Sequence, residues 1–237
     1  MPPKQPGSPG LAGAGPGSAE VVGVREVGSQ HLTLDRLEEV APTRSAAAAF
    51  GAALAVTHAT GAPAFGHGPD GWQGDGFLGR QVLTLVPQSD WGMFFAEQRL
   101  LPYAVKARAG GNLTSAGLRT VERVCHRLAA GEFDDNRPPA RIHGDLWTGN
   151  VMFTGSGVVL IDPAAHGGHG MTDLAMLALF GAPHLSTITA SYAEAARLDP
   201  DWPELIALHQ LHPLLVHAVS HSAAYGQQAV SLAQRYA

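Results

Sequence analysis

The sequence predicts an α+β fold that is mainly helical and carries a small sheet. Long alanine- and leucine-rich segments follow Thr, Ser or Asp residues that can cap helices. Two short apolar runs, 151–153 and 158–161, flank a Gly-Ser-Gly turn and predict a β-hairpin. Hydrophobic residues make up 45% of the 237 residues and charged residues 15%, which indicates a globular core.

The first 40 residues are predicted to hold no helix. Residues 1–19 are rich in Pro and Gly and bury too little apolar surface to offset their ordering entropy, so they are predicted to be disordered. Residues 20–40 hold two predicted strands, Val21–Val27 and His31–Leu37, around a Gly-Ser turn.

Residues 41–237 are predicted to form one helical domain that also contains the hairpin. Thr43, Asp90 and Ser115 are the expected N-caps of its first three helices. Pro213 should kink or break the helix that contains it. The predicted helices span residues 43–58, 90–107, 115–130, 172–180, 186–197, 201–222 and 226–236.

Composition excludes several classes of function. A net charge of −5 with only two lysines argues against nucleic acid as a partner, because phosphate binding needs clustered cations. There is no signal peptide and no apolar run of ~20 residues, so no membrane partner is expected. Cys125 is the one cysteine, which rules out an internal disulfide and predicts a reducing, cytoplasmic location. Composition leaves the oligomeric state unspecified.

The most informative segment is HGDLWTGN at 143–150, followed by IDP at 161–163. Asp145 and Asn150 are separated by four residues, the interval used for phosphoryl transfer from ATP. There a carboxylate accepts the proton of the attacking hydroxyl, and Mg²⁺ takes a few protein oxygens beside the phosphates. We therefore predict Asp145 as catalytic base and Asn150 and Asp162 as magnesium ligands, with ATP and Mg²⁺ as cofactors. The hairpin should bring Asn150 and Asp162 together.

Each half of this pattern has a simpler interpretation. An isolated HGD usually forms an Asx-type turn, and an isolated IDP usually ends a strand. The two motifs at these intervals, joined by a hairpin, favour the catalytic interpretation.

These residues, together with TDLAM at 172–176 and WGMFF at 91–95 followed by Arg99-Leu100, resemble the fructosamine/ketosamine-3-kinase family. That family is grouped with the aminoglycoside and choline phosphotransferases, which share the protein-kinase-like fold. The resemblance covers about residues 20 to 237 and implies a mostly helical C-lobe with a remnant of the N-lobe.

The resemblance implies ATP-dependent phosphorylation of a sugar hydroxyl on a small-molecule or protein-bound ketosamine. Backbone groups around Asp35, Arg36 and Leu37, in the linker between the lobes, would bind the adenine. Trp147 would form a wall beside the sugar. Trp91 is a second candidate substrate contact, although its helical spacing with Phe94 and Arg99 equally suits a helix that turns an apolar face to the core and Arg99 to the surface.

The chain departs from the family pattern at its beginning. Lys4 is a candidate for the phosphate-binding lysine of the N-lobe, but no helix Glu can be named as its partner. An alternative is therefore a kinase-like binding protein that has lost turnover. A metallophosphatase is disfavoured because its GDxxD and GNH runs are absent. Asp173 is predicted to hold the His143 loop, and the C-terminal histidines to pack or line the pocket rather than bind metal.

Overall fold

The computed structural model describes Leu11, residues 13–28 and residues 31–237. The strands are β1 (Glu20–Val21), β2 (Val24–Val27), β3 (Leu32–Leu34), β4 (Gly76–Leu78), β5 (Gln81–Leu83), β6 (Ala140–Ile142), β7 (Val151–Thr154), β8 (Gly157–Leu160) and β9 (His166–Gly168). The helices are α1 (Arg44–Ala59), α2 (Trp91–Phe94), α3 (Leu101–Ala109), α4 (Ser115–Ala129), α5 (Met171–Phe180), α6 (Leu185–Ala195), α7 (Pro203–His209), α8 (Leu211–Ser220) and α9 (Ala223–Ala233). A π-helical segment, Phe95–Leu100, joins α2 to α3.

Leu11 and residues 13–19 are more ordered than their composition suggests. Residues 1–10 and 12, which include Lys4, lie outside the described residues, so the predictions for them stay untested. Leu11 and Ala19, by contrast, are buried in the core, and the Ala19 N–H donates to Thr57 Oγ1 at 2.8 Å. For Leu11 and residues 13–19 the prediction of disorder was therefore wrong, because the apolar side chains of Leu11 and Ala19 dock on the helical domain.

The predicted strand Val21–Val27 is divided in two. β1 pairs in parallel with β8, whereas β2 pairs antiparallel with β3. Gly23 lies at the division, and a side chain there would collide with the Asp35 carboxylate. A larger residue at this position would have to displace the Asp35 carboxylate, where the chain leaves β1 for the small β2–β3 hairpin.

The predicted hairpin is confirmed as β7–β8, with Val151 opposite Leu160 and Thr154 opposite Gly157. Its inward side chains enter a core shared with α1, α5 and α6, which contains Val151, Phe153 and Leu160. A second core is formed by α2–α4 and α7–α9. Because the hairpin is anchored in the first core, the loops at its ends have fixed positions.

Helix ends follow their capping residues. Thr43 Oγ1 accepts from the Ala46 N–H at 3.2 Å, and Asp90 Oδ1 accepts from the Met93 N–H at 2.7 Å, as predicted. The cap of α4 is Thr114 rather than Ser115, since the Thr114 hydroxyl accepts from the Gly117 N–H. The predicted helix 201–222 is two helices, and Pro213 lies in the first turn of the second, where a missing N–H costs least.

Cys125 is a buried free thiol, and burial raises its pKa to about 12. No helix in the described part of the chain has the length and apolarity needed to cross a bilayer.

Candidate active site

The loop that carries Asp145 is held between two strands. β6 ends at Ile142 and pairs antiparallel with β9, and a 3₁₀ turn, Thr148–Asn150, leads into β7. Leu146 is fully buried in the same core as the hairpin. Asp145 and Trp147, on either side of Leu146, are consequently presented on the opposite side of the loop, towards a cavity.

Gly144 lets this loop turn. Its φ is +78°, and an added Cβ would collide with the Ala164 carbonyl oxygen and meet the His166 ring at 2.9–3.0 Å. We expect Gly144→Ala to lower the free energy of unfolding by about 3 kcal/mol, because backbone strain and steric overlap add. Gly131→Ala is the matched control, because Gly131 has φ +76° but open space around it, and should cost only about 1 kcal/mol. Urea denaturation of both variants measures the difference; equal losses would contradict a steric role for Gly144.

Asp173, at the start of α5, holds the catalytic loop by its backbone. Asp173 Oδ2 accepts from the His143 N–H at 2.7 Å, and Oδ1 accepts from the Gly144 N–H at 2.9 Å. Oδ2 also lies 3.0 Å from His58 Nε2. Burial opposes ionisation of this carboxyl, but the hydrogen bond from His58 and the bonds from the loop outweigh burial and lower its pKa. The loop is thus fixed by a buried carboxylate, the role predicted for Asp173.

The hydrogen-bonded group that holds the loop extends beyond Asp173. His58 Nδ1 lies 2.7 Å from the Tyr192 hydroxyl, so the histidine connects α6 to the loop through Asp173. A carboxylate only accepts hydrogen bonds, so Nε2 of His58 is the donor to Asp173. Burial raises the pKa of Tyr192, which therefore stays a hydroxyl at neutral pH.

His143 joins the two predicted motifs. Its Nδ1 accepts from the Asp145 N–H at 3.2 Å, and its Nε2 donates to the Ile161 carbonyl at 3.0 Å. The His143 carbonyl accepts from the Ala164 N–H at 2.9 Å. Because Ile161 and Ala164 flank Asp162, the segment carrying Asp162 is held against the catalytic loop. Burial lowers the pKa of His143, which suits this neutral bridging role.

Asn150 and Asp162 have the chemistry of magnesium ligands. Asn150 is buried, and its Nδ2 donates to the Asp145 carbonyl at 2.7 Å, which leaves Oδ1 as the atom for a cation. The Asn150 carbonyl accepts from the Ile161 N–H, so the ends of the hairpin are adjacent. Asp162 has φ +55°, an uncommon conformation that Asp tolerates and that is enriched at functional sites. One amide oxygen and one carboxylate fit a cation that takes its remaining ligands from phosphates and water.

A cavity of about 730 Å³ opens beside Asp145. Trp147 is 42% exposed on its wall, and the indole ring packs over Gly149. The other walls come from the β4–β5 hairpin, α5 and α8; the sequence did not place the hairpin at the site, whereas the predicted lining of the pocket by C-terminal histidines is confirmed for His212, His217 and His221. Their lining residues include Leu78, Arg80, Gln81, Met176, Phe180, His212, Val216, His217 and His221.

Trp91, the second predicted substrate contact, is elsewhere. It is 3% exposed and packs between Phe95, His169 and His209, so the prediction of a substrate role was wrong. Trp91 is at the start of α2, and its helical face is turned into the core. Arg99, expected at the surface in that interpretation, is 1% exposed.

The linker predicted to bind adenine connects the β2–β3 hairpin to the helical domain. Asp35 is held in that hairpin by an ion pair with Arg25 at 2.5 Å and by its N–H donating to the Gly23 carbonyl. The Val40 N–H donates to the Phe153 carbonyl, which fixes the linker to β7. Within the described residues, the backbone groups of Arg36 and Leu37 make no hydrogen bonds. Those groups are available to a ligand, whereas the Asp35 side chain is not.

Two buried histidines near the site predict acid sensitivity. Burial, with the positive charge of Arg99, lowers the pKa of both His166 and His212 to about 3. Below about pH 6.5 these two histidines take up protons in the unfolded chain but not in the folded chain. The free energy of unfolding therefore decreases as the pH is lowered. Between pH 7 and pH 5 we expect a loss of about 2 kcal/mol for each histidine.

Urea denaturation at the two pH values checks this expectation. His212→Gln should show a smaller loss, and the exposed His126→Gln the same loss as the unaltered chain. A free energy of unfolding that is unchanged at pH 5 would contradict it.

The comparisons with known proteins agree with this geometry. The model of the fructosamine kinase family matches residues 18–237. The chain belongs to the fructosamine kinase family. The match covers both motifs, the hairpin and the α8 wall of the cavity. It confirms the family predicted from the sequence.

Curated relatives of this fructosamine kinase family member carry the name probable ketoamine kinase. The Synechocystis relative is 32% identical over 206 residues, covering 85% of this chain and 66% of the relative. The Enterococcus faecium relative is 29% identical, covering 84% and 70%. The Escherichia coli K12 relative is 34% identical, covering 65% and 52%. The chain thus spans between about half and 70% of the length of these relatives.

Solved structures agree on the fold. A candidate fructosamine-3-kinase from Thermobifida fusca is 44% identical, with a TM-score of 0.87 over 96% of this chain and 77% of that one. The aminoglycoside phosphotransferase in the gentamicin–APH(2″)-IIa complex is 10% identical, with a TM-score of 0.57 over 92% and 75%, which shows a common fold alone. The predicted α+β fold of protein-kinase-like type is confirmed.

Proposed function

We propose that this fructosamine kinase family member transfers the γ-phosphoryl group of ATP to a sugar hydroxyl of a ketosamine. The observation that carries the proposal is the position of Asp145 on the wall of the cavity, in a loop held by Asp173 and joined by His143 to the Asp162 segment. The names of the relatives support a phosphotransferase that acts on this class of substrate.

In this proposal each residue has one task. Asp145 accepts the proton of the acceptor hydroxyl and orients the hydroxyl oxygen towards the phosphorus. The backbone of Arg36 and Leu37 binds the adenine. Asn150 Oδ1 and the Asp162 carboxylate would hold Mg²⁺, which neutralises charge on the phosphate oxygens when bound. Trp147 and Phe180 supply apolar wall beside the sugar.

The volume of the cavity favours a small-molecule acceptor or a single modified side chain. About 730 Å³ accommodates a sugar with a short amine substituent, within the range usual for ligand pockets. A protein-bound ketosamine could reach Asp145 only with its sugar inserted and the polypeptide outside.

The test is incubation of the purified chain with Mg-ATP and the ketosamine formed from glucose and ethylamine. ADP release and a new phosphomonoester signal by ³¹P NMR are the expected results, and glucose itself is the control acceptor. Tight ATP binding without phosphoester formation for any ketosamine would refute the proposed activity and support a kinase-like binding protein.

A further inference from the structure

His212 is a buried side chain on the cavity wall whose tautomer is fixed. It lies in the first turn of α8, is 4% exposed, and lines the cavity that contains Asp145. His212 Nδ1 lies 2.9 Å from the backbone oxygen of Arg99, in the π-helical segment. Since a carbonyl oxygen can only accept, Nδ1 carries the hydrogen and Nε2 carries a lone pair.

The ring stays neutral at physiological pH. Burial and then the positive charge of Arg99 lower the pKa of His212 to about 3. Nε2 is therefore an acceptor and not a donor under working conditions. A histidine that took up a second proton would donate a hydrogen bond from Nε2 instead of accepting one.

Nε2 is open to the cavity. In the part of the chain that the structure describes, four side-chain nitrogens are sealed from solvent without a hydrogen-bond partner: Trp91 Nε1, Arg99 Nε, Arg99 Nη2 and His209 Nε2. His212 Nε2 has no partner among the described residues and is not one of these four. It is therefore reached by solvent, and the surface that His212 shows to solvent belongs to the cavity.

The positive charge of Arg99 favours a neutral hydrogen-bond donor at His212 Nε2. Arg99 is fully buried, its Nη1 donates to the Thr84 and Gln98 carbonyls, and it makes no salt bridge within the described residues. The Arg99 charge, which adds to the effect of burial in keeping His212 neutral, also disfavours an ammonium group beside it. A hydroxyl can donate to Nε2 without bringing a second positive charge.

We propose that His212 is a specificity-determining residue of this cavity, whose Nε2 accepts a hydrogen bond from one hydroxyl of a polyol acceptor. The identity of that acceptor rests on the proposed function, because a ketosamine carries both a polyol chain and an amine. The hydroxyl, rather than the amine, then faces α8, which orients the acceptor in the cavity.

The first experiment compares His212→Phe, which keeps a ring but removes the acceptor, with His212→Gln, which restores an oxygen acceptor. For the ethylamine ketosamine we expect His212→Phe to raise KM about 10-fold, with kcat changed by less than about 3-fold. His212→Gln should stay within about 3-fold of the unaltered chain. Thermal denaturation of both variants separates this effect from loss of folding, and His126→Gln is the surface control.

The second experiment identifies the hydroxyl. Ketosamines that lack one hydroxyl of the sugar chain at a time are compared on the unaltered chain and on His212→Phe. One analogue should lose about 10-fold in kcat/KM with the unaltered chain and show no further loss with His212→Phe. Additive losses for every analogue, or an unchanged KM in a folded His212→Phe variant, would overturn the inference.

A binding measurement separates this inference from the proposed activity. If no ketosamine is phosphorylated, the proposed function fails, and fructose, a polyol without an amine, is titrated into ¹⁵N-labelled protein. A saturable shift of the His212 Nε2 resonance, with fructose affinity from the backbone amide shifts weakened in His212→Phe and retained in His212→Gln, supports the inference. No shift up to the solubility of fructose overturns it.

Discussion

Asp145→Asn is expected to reduce kcat for ketosamine phosphorylation by about 1,000-fold or more. The amide cannot accept the hydroxyl proton, and proton transfer by a positioned side chain contributes about 100- to 10,000-fold. The fold should be unaffected, because Leu146 and the bonds of His143 anchor the loop independently of the Asp145 carboxylate. Initial rates of ADP release, with ATP affinity measured separately by titration calorimetry, give the two quantities.

The matched control is Asp201→Asn, the same change at an exposed carboxylate of another surface. It should keep the full rate. An Asp145→Asn variant that retains more than a tenth of the rate would show that another group activates the hydroxyl.

Asp173→Asn is expected to have the largest effect on stability, a loss of about 3–5 kcal/mol in the free energy of unfolding. The buried carboxylate accepts from His143, Gly144 and His58, and an amide would place its own N–H against one of these donors. Since the loop position depends on the same bonds, kcat should fall as well. Urea denaturation and initial rates at 10 °C, where the variant stays folded, separate the two losses.

Asp135→Asn is the control for this change. Asp135 also accepts from a histidine, His169, but its side chain is 26% exposed, so its loss should cost about 1 kcal/mol or less. Equal losses of stability for the two variants would argue that Asp173 is an ordinary hydrogen-bond acceptor.

The folded-state pKa of Asp173 is lowered, so its contribution to stability is present above about pH 4 and disappears as the pH falls further.

The motifs in the sequence predicted those parts of the site that are close together along the chain. Asp145, Trp147 and Asn150 share one loop, and the hairpin that returns the chain to Asp162 is encoded by local turn chemistry. The remaining walls could not be predicted in the same way. The β4–β5 hairpin and α8 reach the cavity through tertiary packing that no local pattern specifies.

The predictions for Trp91 and Arg99 were wrong for the same reason. Trp91 and Arg99 lie on a helix whose apolar spacing suited either a cavity or a core, and only the packing of α7 and α8 against it decides for the core. Arg99 is charged, so its burial contradicts any composition-based expectation, and burial lowers its pKa to about 10. The signal for His212 was its place among the C-terminal histidines that were predicted to pack or line the pocket, but nothing in the sequence indicated its partner.

The pairing of β1 with β8 has a consequence for the rate at which this protein folds. Glu20 lies beside Val159, so the sheet under the hairpin closes only after nearly 140 residues of intervening chain have been ordered. Such distant contacts slow folding because chain entropy is lost before the contacts form. During synthesis the β7–β8 hairpin can form as soon as it emerges from the ribosome, whereas β1 stays unpaired until β8 has been made. An unpaired strand of this kind is where a chaperone or a neighbouring nascent chain would bind first.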